Sequence, residues 1–511
     1  MNNMNNKRFI AILAILLAFS VFALCACSKN GESGGISDDG GEEKTTETGQ
    51  DEGESMREAE ITPDYLPEAD YGGYEFNVLA LDSTNPDYAT WISYDIYAEA
   101  ETGDLINDAV YRRNRYVEAK YNCAVKETKN TDYNNILRKT VNAGEDIYDL
   151  FYALFNDVTA VAASGYFCDL TALPNLDLSK PWWDQNARES LSMAGILFFS
   201  PCDLSITHNN TTSVIAFNKK LMQDHNMEYP YQSVKEGKWT IDGLILMSKD
   251  ICADLNGDGI MDENDMYGYA CYRDSALSLM HGAGGRIAEK GPDGLPVLTL
   301  NSERAINALG KAFDLMYAPS AFNIHKELEG KYKDYYPVAA NMFIGNQTLF
   351  YWILLHDIEL FRNMDADFGI LPIPKYSEDQ KNYGCTVNQY TSHAIAVPVT
   401  VQDTGRTTVI LEALSAKSRY TLLPAYYDIS LQRKFTRDEE SADMLDIIFD
   451  SQVYDIGAIY NIGGYSWEII AMTMKQNRDI VSLYEKKEKA ALKDIEKIAQ
   501  KYVEIVENAA K

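Results

Sequence analysis

The sequence predicts an α/β protein built from two lobes. Between residues 74 and 154, stretches with strand periodicity alternate with stretches with helix periodicity, and this alternation indicates an α/β layer. Residues 72–511 follow an N-terminal signal and a polar linker, and at ~100–200 residues per domain they suffice for two lobes. Hydrophobic residues make up 46% of the chain and aromatic residues 11%, which are values of a globular protein.

The first predicted elements form a strand–helix–strand–helix–strand series. They cover residues 74–81, 105–121, 123–126, 133–141 and 147–154. The first helix has apolar residues at helical spacing, and the last strand is apolar on both faces, as strands of parallel sheets tend to be. Ligands of such sheets bind beyond the carboxyl ends of the strands, so Asp82 and the turn at 155–157 lie at a predicted rim.

The remainder of the chain continues with further strands and helices. Strands are predicted at 213–217, 368–372 and 394–398, and helices at 241–254, at 305–317 and from 478 to the end. Asn218 and Thr240 have the residue types that begin helices. The apolar stripe on the last helix predicts a packing face.

The N-terminus has the pattern of an export signal. Basic residues 7 and 8 precede an apolar run at 9–24, which is too short for a comfortable membrane span. The tetrad Leu24-Cys25-Ala26-Cys27 resembles a bacterial lipobox, in which the last cysteine is lipidated. We therefore predict a lipoprotein signal peptide at 1–27, a lipid on Cys27, and a protein anchored on the extracellular face of the cell membrane. An uncleaved apolar anchor is the alternative, and it leaves the protein on the same side.

Residues 28–71 predict an acidic, flexible linker. They are rich in Gly, Ser, Thr, Glu and Asp and contain almost no apolar residues. Such a segment buries too little surface to offset its conformational entropy. It would act as an extended, self-repelling tether between the lipid and the folded domain.

The formal net charge of −30 argues against two classes of partner. Nucleic-acid binding needs a basic surface that displaces counterions, and electrostatic binding to anionic lipid needs one as well. We therefore predict no nucleic-acid partner and contact with the membrane through the lipid anchor only.

Six widely spaced cysteines follow the lipobox and include no C-x-x-C pair. An extracellular location permits disulfides, and six cysteines allow about 15 pairings. Buried free thiols and bridges both stay open, and the spacing predicts no metal role for these cysteines.

One acidic loop has the spacing of a calcium site. Counting Asp254 as position one, oxygen-bearing side chains occupy positions one, three, five, nine and twelve, and a glycine occupies position six. Position seven contributes a backbone carbonyl in such loops. The predicted ligands of a structural Ca²⁺ are Asp254, Asn256, Asp258, Ile260, Asp262 and Asp265. The alternative is an Asx-rich surface turn without an ion.

Several segments follow the lipobox and the acidic linker in a particular order. They are 165–174 (GYFCDLTALP), 181–184 (PWWD), 214–219 (VIAFNK), 237–240 (GKWT), 343–345 (FIG) and 368–375 (FGILPIPK). This order resembles the extracellular solute-binding lipoproteins of the carbohydrate ABC-importer type (family 1, maltodextrin-binding-like).

The resemblance implies a two-lobe periplasmic-binding-protein-like fold (type II), with α/β lobes joined by hinge strands and a ligand in the cleft between them. The crossings between lobes are expected near 208–217, 383–397 and 449–456. Lobe 1 would then comprise 72–208 plus about 388–448, and lobe 2 would comprise 209–387 plus about 449–511.

The resemblance also implies a function. The chain would be a monomeric, non-enzymatic substrate-binding lipoprotein that captures an extracellular sugar or oligosaccharide and delivers it to the permease subunits of an ABC importer. Two alternatives stay open. An extracellular polysaccharide-acting hydrolase would need two positioned carboxylates, and a sensor or adhesin subunit could use the same fold.

The predicted substrate-binding residues combine aromatic and polar side chains. Aromatic rings stack on sugar rings, and amides and carboxylates match sugar hydroxyls. The set is Trp183, Trp352, Trp467, Asp82, Asn156, Asn209, Tyr272 and Arg273. Each polar member could instead cap a turn, and each tryptophan of the set could instead pack in the core. For two further tryptophans, Trp182 and Trp239, we expect core packing. No catalytic residue is predicted.

Overall fold

The computed structural model describes residues 63–82, 95–432 and 439–509. The predicted signal peptide, the predicted lipidation site at Cys27 and most of the predicted linker lie outside the described residues. None of the helices within those ranges is both long enough and apolar enough to cross a membrane.

Strands and helices alternate along most of the described chain. In chain order, the strands are β1 Tyr74–Leu81, β2 Cys123–Asn130, β3 Leu150–Leu154, β4 Ser213–Asn218, β5 Cys252–Ala253, β6 Met266–Cys271, β7 Ala288–Lys290, β8 Pro296–Leu298, β9 Ala321–Asn323, β10 Thr348–Leu354, β11 Phe368–Leu371, β12 Cys385–Thr386, β13 His393–Ala396 and β14 Gln452–Val453.

The α-helices vary from single turns to one helix of thirty residues. In chain order, they are α1 Leu105–Tyr121, α2 Tyr133–Ala143, α3 Phe155–Ala162, α4 Gln185–Leu191, α5 Thr207–Asn210, α6 Lys219–Asp224, α7 Tyr231–Lys235, α8 Ile241–Ser248, α9 Ser275–Gly282, α10 Glu303–Met316, α11 Ile324–Leu328, α12 Tyr336–Ile344, α13 Thr404–Tyr420, α14 Leu422–Gln432, α15 Glu439–Asp450, α16 Ile456–Ile459, α17 Tyr465–Lys475 and α18 Ile480–Ala509. Two 3₁₀ turns cover Leu355–Phe361 and Ile462–Gly464.

A four-stranded sheet with the order β13-β3-β1-β2 organises the first part of the fold. β1 pairs in parallel with β2 and β3, and β13 returns from far along the chain to pair antiparallel with β3. All five residues of β3 are buried, as a strand with neighbours on both sides and covered faces requires.

A second sheet with the order β11-β4-β10-β6-β5 organises the later part, and β9 also pairs with β6. It is mixed: β10 is parallel to β6 and antiparallel to β4. β4 and β10 are buried along their whole lengths, so the centre of this sheet is core. Each sheet falls within one of the two lobes expected from the sequence.

The three segments expected to cross between the lobes lie side by side. Thr212 and Val387 form an antiparallel bridge, which joins the first segment to the second. β12 pairs in parallel with β14, which joins the second segment to the third. The junction between the sheets is therefore a hydrogen-bonded unit rather than a set of separate linkers.

The local predictions differ from the structure mainly at element boundaries. Asn218 and Thr240 cap α6 and α8 through their side chains, as predicted. The helix predicted at 241–254 is wrong beyond Ser248, because Cys252 and Ala253 pair with β6 as a strand.

The linker prediction is wrong at its C-terminal end. Leu66 is buried, Tyr65 donates a hydrogen bond through its hydroxyl to the carboxylate of Glu412, and the Tyr71 N–H donates to the Tyr121 carbonyl at 2.8 Å. Aromatic and aliphatic side chains therefore attach residues 63–71 to the folded domain, although the segment is acidic.

The cysteines are free thiols in the structure, and all six lie within the described ranges. Cys123, Cys202, Cys271 and Cys385 are buried, Cys168 is half-buried and Cys252 is exposed. Of the two states that the sequence left open, the structure contains the reduced one.

His393, the first residue of β13, is a buried histidine. Its ring stacks on Tyr152 with the ring centroids 4.8 Å apart, and among the described residues neither ring nitrogen makes a hydrogen bond of normal geometry. Burial lowers the pKa of His393 to about 3. In the unfolded chain the same side chain takes up a proton below pH ~6.5. Its contribution to stability is therefore complete above that pH and is lost as the pH falls towards 3.

We expect His393→Phe to change how folding stability depends on pH. Phenylalanine keeps the stacking on Tyr152 but cannot bind a proton. Relative to wild type, the variant should gain about 2 kcal/mol of unfolding free energy between pH 7 and pH 5, since each pH unit between the two pKa values is worth about 1.4 kcal/mol. Urea denaturation at both pH values measures this difference. His225→Gln, which removes an exposed histidine, is the matched control. Parallel pH profiles for wild type and His393→Phe would show that His393 does not cause the loss of stability at low pH.

Candidate functional site

An inner cavity of about 160 Å³ lies between the second sheet and the crossing segments. Its walls come from the turn after β6, the end of β10, the segment between β12 and β13, and the first part of α17. Because β6 and β10 are parallel, their carboxyl ends meet at the same edge of the sheet. The cavity therefore occupies the position at which open α/β sheets bind ligands.

The walls of the inner cavity are strongly aromatic. Tyr272, Tyr336, Trp352, Tyr390 and Trp467 all line it. Tyr272 packs edge-on against Trp352 with the ring centroids 5.9 Å apart, and Tyr390 lies against Trp467 at 4.5 Å. The two aromatic pairs come from different segments, so together they enclose the space between the sheet and α17.

Three buried polar atoms of wall residues lack a hydrogen-bond partner among the residues that the structure describes. They are the indole N–H of Trp352 and the hydroxyls of Tyr390 and Thr391, and all three are inaccessible to solvent. Trp352 lines the cavity but is only 2% exposed, so little of its ring face is available to a ligand. An unmade buried hydrogen bond costs ~1–3 kcal/mol, and a bound hydrogen-bonding group would recover part of that cost.

Two carboxylates add acceptors to the inner cavity. Asp274 follows β6 and accepts a hydrogen bond from the Asn388 side chain at 3.2 Å. Burial raises the pKa of Asp274 above its ordinary value. Asp357 follows β10 and accepts the Leu354 backbone N–H at 3.0 Å. Each carboxylate has further lone pairs for a ligand, because an ionised carboxylate offers about four acceptor sites.

The walls of the inner cavity present little positive charge. His325 Nδ1 accepts the Arg273 backbone N–H at 3.3 Å, which assigns the ring proton to Nε2. Burial, reinforced by the nearby Arg273 charge, lowers the pKa of His325 to about 3, so the ring is neutral. The Arg273 guanidinium lies 3.5 Å from the Glu329 carboxylate and shares its charge with it.

An outer cavity of about 640 Å³ adjoins the inner one. Its walls are α3 on one side and α16, the start of α17 and α18 on the other. Trp467 lines both cavities and is 49% exposed. The two cavities share this tryptophan in their walls, and together they are called the groove.

The structure brings together five of the eight predicted substrate-binding residues. Tyr272, Arg273, Trp352 and Trp467 line the inner cavity, and Asn156 lines the outer one beside Trp467. The residues on β6 and β10 meet because those strands are parallel and adjacent. Asn156 reaches the groove because α3 begins directly after β3, at the rim that the sequence predicted.

The prediction that Trp183 stacks on a ligand is wrong. This side chain is buried, and its indole N–H donates to Glu412 Oε2 at 2.9 Å, while the Trp182 indole donates to Oε1 of the same carboxylate at 3.0 Å. Both tryptophans are therefore core residues that attach one segment to α13. Trp239 is also buried, as expected, and donates to the Pro372 carbonyl.

Two predicted polar residues lie away from the groove. Asn209 is buried, and its side-chain oxygen accepts a hydrogen bond from Gln452 at 3.1 Å, so it joins two crossing segments. Asp82 directly follows β1 and donates its backbone N–H to the Asn130 carbonyl. Neither lines the inner or the outer cavity, so neither prediction is supported by the geometry.

Sequence reasoning missed several wall residues. Asp274 is adjacent to the predicted pair Tyr272 and Arg273, and its position just after a strand could have indicated that it belongs to the site. Tyr390 and Thr391 lie in a segment that the sequence assigned to a crossing. Asp357, His325 and Tyr336 carried no local signal, because only the pairing of β10 with β6 and of β9 with β6 brings their segments to the cavity.

In the acidic loop at 254–265, aspartate carboxylates accept hydrogen bonds from backbone N–H groups of the same loop. Asp254 accepts the N–H groups of Gly257 and Gly259, and Asp265 accepts those of Leu255 and Asp262. In the ranges that the structure covers, no three His, Cys, Asp or Glu side chains gather at metal-binding distances. The donor set itself fits calcium chemistry, since every predicted ligand atom is oxygen and Asp265 is buried beneath the loop.

The fold of this chain is similar to that of several solved proteins. Neither a protein-family model nor a curated protein sequence matches this chain. UspC of M. tuberculosis is similar with a TM-score of 0.54 and 14% sequence identity, over 82% of this chain and 100% of that one. A cyclo/maltodextrin-binding protein complexed with maltotetraose has a TM-score of 0.52 and 14% identity, over 84% of this chain and 97% of the other.

A third solved structure is an ABC transporter solute-binding protein from Agrobacterium radiobacter K84 in complex with ribitol. Its TM-score is 0.50 at 14% identity, and the match covers 83% of this chain and 99% of that protein. At such low identity the likeness concerns the fold. The chain has the two-lobe, periplasmic-binding-protein-like α/β fold of these solved proteins.

Proposed function

We propose that the protein binds a sugar or oligosaccharide in the groove between its two sheets and delivers it to the permease of an ABC importer. The observation that carries the proposal is the inner cavity, which combines an aromatic wall with the buried, unpartnered N–H of Trp352. The solved proteins crystallised with maltotetraose and with ribitol share the fold, which supports the choice of a polyhydroxylated ligand.

The wall chemistry matches a neutral sugar. Hydroxyl groups both donate and accept, so they can donate to Asp274 and Asp357 and accept from the Trp352 N–H. Aromatic rings cover the apolar faces of a sugar at a small cost in side-chain entropy. Ligand sites of this kind combine an apolar lining with a few fixed polar groups.

A hydrolase is the second candidate, because two carboxylates line the inner cavity. Glycosidases place two carboxyl groups on either side of the bond that is cleaved. We propose binding without turnover, since the solved proteins named above are described as binding or solute-binding proteins. Incubation with a bound saccharide, followed by chromatography, distinguishes the two candidates, and steady product formation would favour the hydrolase.

We expect Trp352→Phe to weaken saccharide binding roughly 2- to 10-fold. Phenylalanine keeps the aromatic packing on Tyr272 but removes the N–H, and a neutral hydrogen bond contributes ~0.5–1.5 kcal/mol. Isothermal titration calorimetry with a saccharide selected by thermal-shift screening measures the change.

Trp183→Phe is the matched control for this measurement. It removes the same kind of N–H from a buried tryptophan that lines neither cavity. We expect it to lower stability and to leave affinity unchanged. Equal losses of affinity in the two variants, or none in Trp352→Phe, would remove Trp352 from the site.

We also propose that Cys27 carries a lipid that holds the protein on the extracellular face of the membrane, where it acts as a monomer. The lipobox-like tetrad and the acidic linker support this. Cys27→Ser should move the protein from the membrane fraction to the medium and abolish incorporation of an alkyne-tagged fatty acid. Cys25→Ser, two positions earlier, should leave both unchanged; incorporation that depends on Cys25 instead would contradict the assignment.

We further propose that the loop at 254–265 binds a structural Ca²⁺. Oxygen ligands at the spacing of a calcium loop support this, and binding would draw the Asp254, Asp258 and Asp262 carboxylates towards one point. The ion would supply rigidity to a loop that directly precedes β6, and so to the turn after β6 that lines the inner cavity.

Calcium should stabilise the protein in thermal unfolding relative to a chelator-treated sample. Ligand binding to the native state contributes about 2.7 kcal/mol at a calcium concentration of 100 times the Kd. Asp258→Ala should remove the response, and Met261→Ala, an exposed non-ligand in the same loop, should keep it. Identical melting curves with and without calcium, together with no calcium in elemental analysis, would leave the loop as an Asx turn.

A further inference from the structure

We infer that residues 63–71, called the strap, form a latch that couples the base of the predicted linker to the third crossing segment. The juxtaposition that carries the inference is the buried carboxylate of Glu412, which binds both the strap and residues 177–183, next to Asp184, which binds Tyr454. The strap is where the predicted linker meets the folded domain, whereas Tyr454 directly follows β14. The latch belongs to the scaffold, so the inference does not depend on the proposed function.

The strap begins with a turn that places Tyr65 against α13. The Leu66 N–H donates to the Pro63 carbonyl at 3.1 Å, and the Leu66 side chain is buried. The Tyr65 hydroxyl donates to Glu412 Oε1, and the ammonium of Lys180 lies 5.2 Å from the centre of the Tyr65 ring, which is a cation–π distance. An apolar contact, a hydrogen bond to a carboxylate and a cation–π contact therefore hold the same turn.

The carboxylate of Glu412 depends on donors from two segments. Glu412 is 0% exposed, and burial raises its pKa above the ordinary value. Besides Tyr65, three donors from one segment reach it: the Asp177 backbone N–H at 3.2 Å, the Trp182 indole N–H at 3.0 Å and the Trp183 indole N–H at 2.9 Å. A buried acceptor that loses a donor is costly, because water does not replace the lost bond. The strap and residues 177–183 therefore stabilise each other through the acceptor that they share.

Asp184 connects the same segment to the third crossing segment. It directly follows Trp183, and its carboxylate accepts the Ala187 N–H at 2.8 Å, which caps α4, and the Tyr454 hydroxyl at 2.6 Å. Tyr454 is buried and directly follows β14. Carbonyls of the third crossing segment accept two hydrogen bonds from the second: Cys385 N–H to the Ser451 carbonyl at 2.7 Å and Val387 N–H to the Val453 carbonyl at 3.1 Å.

These contacts give a continuous path from the strap to the junction between the sheets. A path of contacts amounts to coupling only where both of its ends bias the same equilibrium. The equilibrium here is the local opening of the β12–β14 pair, since native proteins open such units without unfolding as a whole. A docked strap should hold this pair closed, and a closed pair should hold the strap in place, because coupling between two sites is reciprocal.

The test is hydrogen exchange measured by mass spectrometry on the whole protein. Tyr65→Phe keeps the ring of the strap residue and removes its hydroxyl. Exchange of the Cys385 and Val387 amides should accelerate about 2- to 10-fold, the factor that the net loss of one hydrogen bond gives. In the Tyr454→Phe background, where the path is already broken, adding Tyr65→Phe should leave these amides unchanged. Tyr454→Phe alone should accelerate exchange of the strap amides, including Leu66.

Two controls separate coupling from a general loss of stability. Tyr166→Phe removes a tyrosine hydroxyl that donates to Asn142 rather than to Glu412, and it should change neither set of amides. The amides of β4 and β10, at the centre of the second sheet, should exchange at wild-type rates in every variant. Unchanged Cys385 and Val387 amides in Tyr65→Phe, equal acceleration of β4 and β10, or a full effect of Tyr65→Phe in the Tyr454→Phe background would each overturn the inference.

Discussion

The buried carboxylate of Asp455 connects the segments on which the groove depends. It accepts hydrogen bonds from His281 Nε2 at 2.9 Å and from the backbone N–H groups of Ile287 and Gly457, both at 2.7 Å. Although burial opposes ionisation, the hydrogen bonds from His281 and Ile287 hold the pKa of Asp455 below its ordinary value. His281 in turn contacts Thr386 of β12 at 3.0 Å. One carboxylate thereby ties α9 to the crossing strands, and removal of either partner of such a buried pair is strongly destabilising.

This connection explains how a cavity can form from distant parts of the chain. α9 begins directly after the turn that carries Tyr272, Arg273 and Asp274, and its last turn is hydrogen-bonded through His281 to Asp455, so α9 links this turn to the crossing strands. The crossing segment that follows β12 contributes Tyr390 and Thr391 to the same cavity. Preorganisation of this kind would reduce the ordering cost of the proposed ligand binding.

Most of the regular structure could be predicted from the sequence, because it depends on local periodicity and capping. β1 and α1 have the predicted boundaries, and Asn218 begins its helix. The site was less predictable, because burial and partners are set by distant residues. Trp183 and Trp467 look alike in the sequence, yet Trp183 meets a carboxylate 229 residues away. Trp467 is left half-exposed where a 3₁₀ turn meets the last helix.

The acidic groups of the chain differ in their environments. The formal net charge of the whole sequence is −30, and a net charge far from zero favours solubility. Glu412 is different, because its carboxylate accepts three side-chain hydrogen bonds, from Tyr65, Trp182 and Trp183. These three partners stabilise the fold. Asp274 is different again: burial raises its pKa, yet Asn388 supplies one hydrogen bond and the cavity lies beside it. A carboxylate that keeps acceptor capacity next to a cavity can serve a ligand, whereas one surrounded by donors from its own chain serves the fold.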